Sequence, residues 1–91
     1  MTDVVETFRK FGTSGDLKFI LIQSNAACDT GHLIDLGSDT FAGAAMNTIL
    51  NTLVQDDAGQ DEEATWDPDT GVITMGTLTG TGIHNILIVG F

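Results

Sequence analysis

The chain has 91 residues, 13 of them acidic and 3 basic, for a net charge of −10. A chain this short makes one domain with a thin core, burying roughly 60–65% of its unfolded surface. The acidity excludes nucleic acid and anionic membrane surfaces as partners, since both need Lys and Arg; it leaves a basic partner surface, or a high-salt milieu that screens dense charge.

Eleven glycines, one proline and a Thr-rich second half favour turns and strands over long helices. The longest apolar runs, 19–22 and 86–89, are far too short to span a bilayer. No charged-then-apolar leader opens the chain. Cys28 is the single cysteine, which rules out an intrachain disulfide.

In chain order, residues 3–11 hold Val4, Val5, Phe8 and Phe11 at the spacing i, i+1, i+4, i+7. That spacing predicts a short amphipathic helix. Asp3 and Glu6 fit a capping box, and Arg9 and Lys10 suit the helix C-terminus. The helix either covers one end of a sheet or acts as an arm that docks on a neighbouring subunit. Residues 1–15 are therefore read as an N-terminal amphipathic arm and 16–91 as a single β domain.

Gly12 to Gly15 read as a flexible break. Residues 16–24 are apolar in the middle on both faces, which predicts a central strand buried on two sides. Residues 25–31 form a loop ending in Asp29-Thr30-Gly31. Residues 32–36 resume as a short strand, expected to pair with 16–24 as a hairpin. Within 38–55, a helical rhythm competes with strict alternation over 47–54. Asn and Thr are poor helix residues, so a strand over about 46–55 is favoured, preceded by a bend or short helix at 41–45. Residues 56–59 turn the chain, and 60–66 pair back.

Residues 64–75 give the firmest local signal. Thr65 and Trp66 on one arm and Val72 to Met75 on the other suit a half-buried pleated surface. Between them, Pro68 presets its φ for a type I turn, Asp67 can accept hydrogen bonds from it, and Gly71 can take positive φ. Residues 76–82 are a loop of small residues without a phosphate-binding glycine pattern. Residues 83–91 form a final strand. Its run 86–89 reads as buried and central, and Phe91 suits a core or a subunit seam.

Little here points to chemistry. Asp56, Asp57, Asp61, Glu62 and Glu63 cluster around Gly59, but the ligand spacing of a calcium loop is absent. Cys28, His32 and His84 are three zinc-type ligands scattered over different segments. Cys28 with a histidine is a nucleophile pair in principle, although lone cysteines in small domains usually serve as small hydrophobes. No Asn-x-Ser/Thr glycosylation site occurs. Trp66 fits either core packing or an interface anchor.

The order of segments is similar to a known pattern. Phe8-Arg9-Lys10-Phe11-Gly12 leads into Asp16-Leu17-Lys18-Phe19-Ile20-Leu21-Ile22. Asp29-Thr30-Gly31-His32-Leu33-Ile34-Asp35-Leu36, the 64–75 stretch and a closing His84-Asn85-Ile86-Leu87-Ile88-Val89-Gly90 follow. This resembles small β-rich virion proteins encoded among the head genes of tailed viruses of bacteria and archaea. The resemblance implies a capsid decoration (cement) protein on the outer surface of an assembled head. Its partners would be the major capsid protein and copies of itself, as trimers on three-fold or quasi-three-fold positions. An acidic, lysine-poor version fits a virus of a salt-loving host.

The expectation is an all-β fold: a small antiparallel β-sandwich or barrel of about six strands with a short N-terminal amphipathic helix or arm. The function expected is that of a non-enzymatic virion structural protein without cofactor or metal. Its interface candidates are Val4, Val5, Phe8, Phe11, Trp66 and Phe91. The rivals are another virion component, such as a head–tail or tail-surface binding module presenting loops 26–31 and 77–82, and a small metal-binding enzyme using the acidic cluster.

Overall fold

The computed structural model describes residues 2–37 and 46–91. They form eight strands: β1 (Glu6–Ser14), β2 (Leu17–Ser24), β3 (Leu33–Asp35), β4 (Ile49–Asp56), β5 (Asp61–Glu62), β6 (Ala64–Trp66), β7 (Val72–Met75) and β8 (His84–Gly90). All strand pairs are antiparallel. One sheet has the order β1-β2-β8-β4-β5, the other β3-β7-β6. The chain is all-β, and among the described residues there is no helix.

The expected N-terminal helix is instead strand β1, hydrogen-bonded to β2. A nine-residue helix is marginal on its own. As a strand, the same stretch gives its backbone groups a ladder along its length. The turn decides between them: Ser14 faces Leu17 across Gly15-Asp16, and Gly15 has φ 61° while no described non-glycine residue has positive φ. Glycine first in a two-residue loop is the II′ hairpin pattern, whose twist matches the flanking strands. The expected break at 12–15 is thus continuous strand and turn.

The strand count exceeds six for a second reason. Residues 60–66 divide into β5 and β6, which belong to different sheets. The chain crosses at Glu63, whose carbonyl accepts a hydrogen bond from the Gly76 N–H at 2.9 Å. A Cβ at position 76 would lie 2.8 Å from that of Glu63, so the crossing requires glycine there.

The expected hairpin of 16–24 with 32–36 does not form. β3 pairs with β7 in the smaller sheet, while β2 pairs with β1 and β8. Thr2 and Val4 extend the smaller sheet through a parallel bridge at Asp3 and Leu33. The chain then passes into β1, and so stitches the two sheets together at its start.

The strands expected at the centre are central: β2 and β8 lie side by side, with β8 in the middle of five. Alternation then sorts their side chains. Ile20, Ile22, Ile86, Ile88 and Val54 of the larger sheet and Ile34, Ile73 and Met75 of the smaller one are buried in one apolar cluster. Burying each such side chain contributes about 1.5–3 kcal/mol. The intervening residues of β2 and β8 are only half-buried, so neither strand is enclosed on both faces as expected. The strand favoured over 46–55 appears as β4; the bend or helix expected at 41–45 lies outside the described residues.

The 64–75 hairpin forms as read. Asp67 Oδ1 accepts hydrogen bonds from the Asp69 and Thr70 N–H groups at 2.9 and 3.1 Å, and Gly71 has φ 76°. At the other end, the Phe91 backbone is clamped by Asn47 and Thr48. A Cβ on Gly90 would collide with the Thr48 carbonyl and the Met46 sulfur.

Candidate functional site

Two polar features come first. Residues 25–31 and 77–82 are tied to each other at one end of the molecule: Gly82 donates to the Cys28 carbonyl at 3.1 Å and Leu78 N–H to Thr30 Oγ1 at 3.0 Å. Beside them lies a cavity of about 210 Å³ whose lining includes Asp56, Glu62, Thr81 and His84. Its polar groups mostly serve the turns. Asp56 Oδ1 accepts from Ala58 and Gln60 N–H, and Glu62 Oε2 accepts from Thr79 N–H. His84 Nδ1 donates to the Gly82 carbonyl at 2.8 Å, while His84 Nε2 and Glu62 Oε1 are buried without a partner.

Ser24 Oγ accepts from the His84 N–H at 2.8 Å and donates to the Asn25 carbonyl. Burial pushes the Cys28 thiol above its ordinary range. Hydrogen bonds from Thr30 and Thr81 pull the Asp29 carboxyl below its usual value. Among the described residues, no three His, Cys, Asp or Glu side chains converge to hold a metal. The second feature is an open dish of about 640 Å³ over Thr65, Thr74 and the turn from Asp67 to Thr70.

The third feature is apolar and exposed. Among the described residues, β1 is the rim of the larger sheet, paired on one side only. Phe11 is 58% and Phe8 38% exposed, and Val5, just before the strand, is 55% exposed. Arg9 pairs with Glu6 and lies over the Phe11 ring, 5.8 Å from its centroid. The Glu6 hydrogen bond raises the Arg9 pKa further above its already high value. An open strand edge bearing exposed aromatics is a pairing surface unless it is shielded.

The outer face of the same sheet continues this apolar surface. Register puts Lys10, Leu21, Leu87 and Leu53 in one cross-strand row. Phe19, Val89 and Asn51 form the next row, and Phe8, Gln23, Asn85, Gln55 and Asp61 a third. The third row is held by amide hydrogen bonds, Gln23 to Asn85 at 3.1 Å and Gln55 to Asp61 at 3.0 Å. A shallow depression of about 240 Å³ lies over Leu21, Leu53 and Leu87.

Of the residues expected at an interface, Val5, Phe8, Phe11 and Phe91 are at the surface, with Phe91 44% exposed. Val4 is fully buried and belongs to the core, and Trp66 packs against that core half-buried. Phe8 and Phe11 share β1 but face opposite sides of the sheet, as their partners Gln23 and Ile20 do. Leu21 and Leu87 were missed because a solid apolar run reads as buried, and Leu53 because alternation over 47–54 does not say which of its two faces is covered. The signal available was the alternation of Ile with Leu or Phe along 19–22. Comparison of the chain with family models, curated proteins and solved structures finds no match in any of the three.

Proposed function

We propose that the chain is a non-enzymatic virion structural protein, a capsid decoration or cement subunit that binds the outer surface of an assembled head and stabilises it. Its partners are the major capsid protein and further copies of itself, and its location is the capsid surface. The observation that carries the reading is β1: an edge strand with one side unpaired among the described residues, and three large apolar side chains at or beside it exposed to solvent. A small domain with a thin core gains stability by mass action when such an edge docks on a lattice.

In this reading the two sheets are the layers of a small sandwich. They share one apolar cluster, and the shortest dimension of the molecule, 21 Å, accommodates two sheets about 10 Å apart with side chains outside. The acidic surface suits a high-salt milieu, where screening removes self-repulsion.

The test is mass spectrometry and heating of virions whose genome carries this sequence. The protein is expected in many copies per particle, and particles lacking it are expected to break at lower temperature or on dilution of salt. Absence from purified particles, or equal robustness without it, contradicts the proposal. Phe11→Ser is expected to weaken particle binding while leaving the fold intact.

A further inference from the structure

An antiparallel sheet packed on one face normally turns polar residues outward on the other. Here the outer face presents Phe8, Phe19, Leu21, Leu87, Val89 and Leu53, the last 55% exposed. Charge is segregated with equal clarity. The strands of this sheet hold four acidic residues. Glu6, Asp56 and Glu62 are in register with Ser24, His84 and Val54 on the packed face. Only Asp61 falls on the outer face, at the β5 edge, and the only basic residue there is Lys10, at the β1 edge.

We propose that this face docks a second copy of the chain, outer face to outer face, about a two-fold axis running along β8. β8 is the middle of five strands, so the rotation exchanges β1 with β5 and β2 with β4. Leu21 of one copy then meets Leu53 of the other, and the two Leu87 side chains meet near the axis. The β1 edge of each copy comes over the β5 edge of its partner, with Phe8 in the row of Asp61 and Lys10 one row along the strand, so the single positive and single negative charge of the face lie on the same seam across the pair. Such a self-complementary patch is what a two-fold interface requires.

The size fits as well. Four strands of at least seven residues and the two-residue β5, about 4.8 Å apart and rising about 3.3 Å per residue, cover roughly 470 Å², or about 950 Å² for the pair, the size of a weak, reversible interface. The amides of Gln23, Asn85 and Gln55 give it a polar border. Every other strand acid of the sheet points away from the contact, so the remaining repulsion is long-range and is screened by salt. Pairing therefore strengthens as salt rises. The two-fold pair differs from the three-fold grouping that the resemblance implies, and it concerns the isolated chain, independently of any capsid.

Sedimentation equilibrium of the purified chain over a range of salt and concentration tests this. A species of twice the 9.6 kDa chain mass is expected, with a Kd that falls as salt rises. Leu53→Glu is expected to weaken it roughly a hundredfold or more, as loss of a central anchor does. Leu53→Gln, which leaves the charge unchanged, is read in parallel, and far-UV circular dichroism checks that both variants fold. Phe11→Glu, on the opposite side of β1, is expected to remain dimeric. Lys10→Glu and Asp61→Lys are each expected to weaken the pair, and the double variant to recover it. A monomer at all salt concentrations, a trimer, or a dimer indifferent to both Leu53 variants overturns the proposal. Because no particle enters the measurement, its failure is distinct from failure of the capsid reading.

Discussion

The two faces of the five-stranded sheet are made by alternate residues of the same strands, and their fates differ. On the packed face, Ile20, Ile22, Ile86 and Ile88 are closed over within the core shared with the smaller sheet. On the outer face, Phe19, Leu21, Leu87 and Val89 are nearly as apolar but only half-buried. Hydropathy does not separate the two sets; what covers them does. The smaller sheet has three strands and cannot serve both sides, nor does it reach β1, whose side chains stay largely exposed on either face. The surplus apolar surface is thus a consequence of unequal sheets, and it is where association is expected.

Substitutions at adjacent positions of β8 sharpen the contrast most. Ile88→Ala removes a fully buried side chain and is expected to cost about 2–5 kcal/mol in urea unfolding. Leu87→Ala, one residue away on the outer face, is expected to cost well under half of that for the monomer and to act on association instead. Equal losses at the two positions would break the distinction between the faces.

Gly90→Ala comes next. Its Cβ would meet the Thr48 carbonyl and the Met46 sulfur where the C-terminal strand end is clamped to the residues before β4. Overpacking of this kind costs about 1–3 kcal/mol, measurable as a lowered unfolding midpoint. Addition of the same methyl at Gly80, where nothing lies within 4 Å, is expected to be nearly silent.

The smallest effect belongs to the hairpin tip, whose Pro68 carbonyl accepts a hydrogen bond from the Ile49 N–H at the start of β4. Asp67 is held below its ordinary pKa of 3.8 chiefly by hydrogen bonds from the Asp69 and Thr70 N–H groups. Its folded-state pKa is therefore lower than its unfolded one, and the unfolded chain takes up the proton first. The stability it contributes is complete above pH 3.8 and is lost as pH falls through the lowered folded-state value. Asp67→Asn is expected to keep the turn at neutral pH and to flatten that part of the acid-unfolding curve; Asp67→Ala is expected to lower the neutral-pH melting temperature as well.

That tip was also the most legible part of the sequence, because Asp67, Pro68 and Gly71 act within five residues of one another. β2, β4 and β8 were legible from apolar runs and alternation. β1 was not: Val4, Val5, Phe8 and Phe11 satisfy a helical period, and the deciding feature was the Gly15-Asp16 turn that follows them. The pairing of β3 with β7 in place of β2 is a long-range choice that no local pattern encodes. Of the candidate surface, Val5, Phe8 and Phe11 were visible as an amphipathic stripe. Leu21, Leu53 and Leu87 came together only through the strand order of the sheet.

Hydroxyl-radical footprinting of the purified chain in high salt, at low and high protein concentration, probes the unequal faces most directly. The expected result is that labelling of Phe19, Leu53 and Leu87 falls as concentration rises, while labelling of Phe11 on the opposite side of the sheet does not change. Labelling of the three outer-face residues that is independent of concentration would contradict the account.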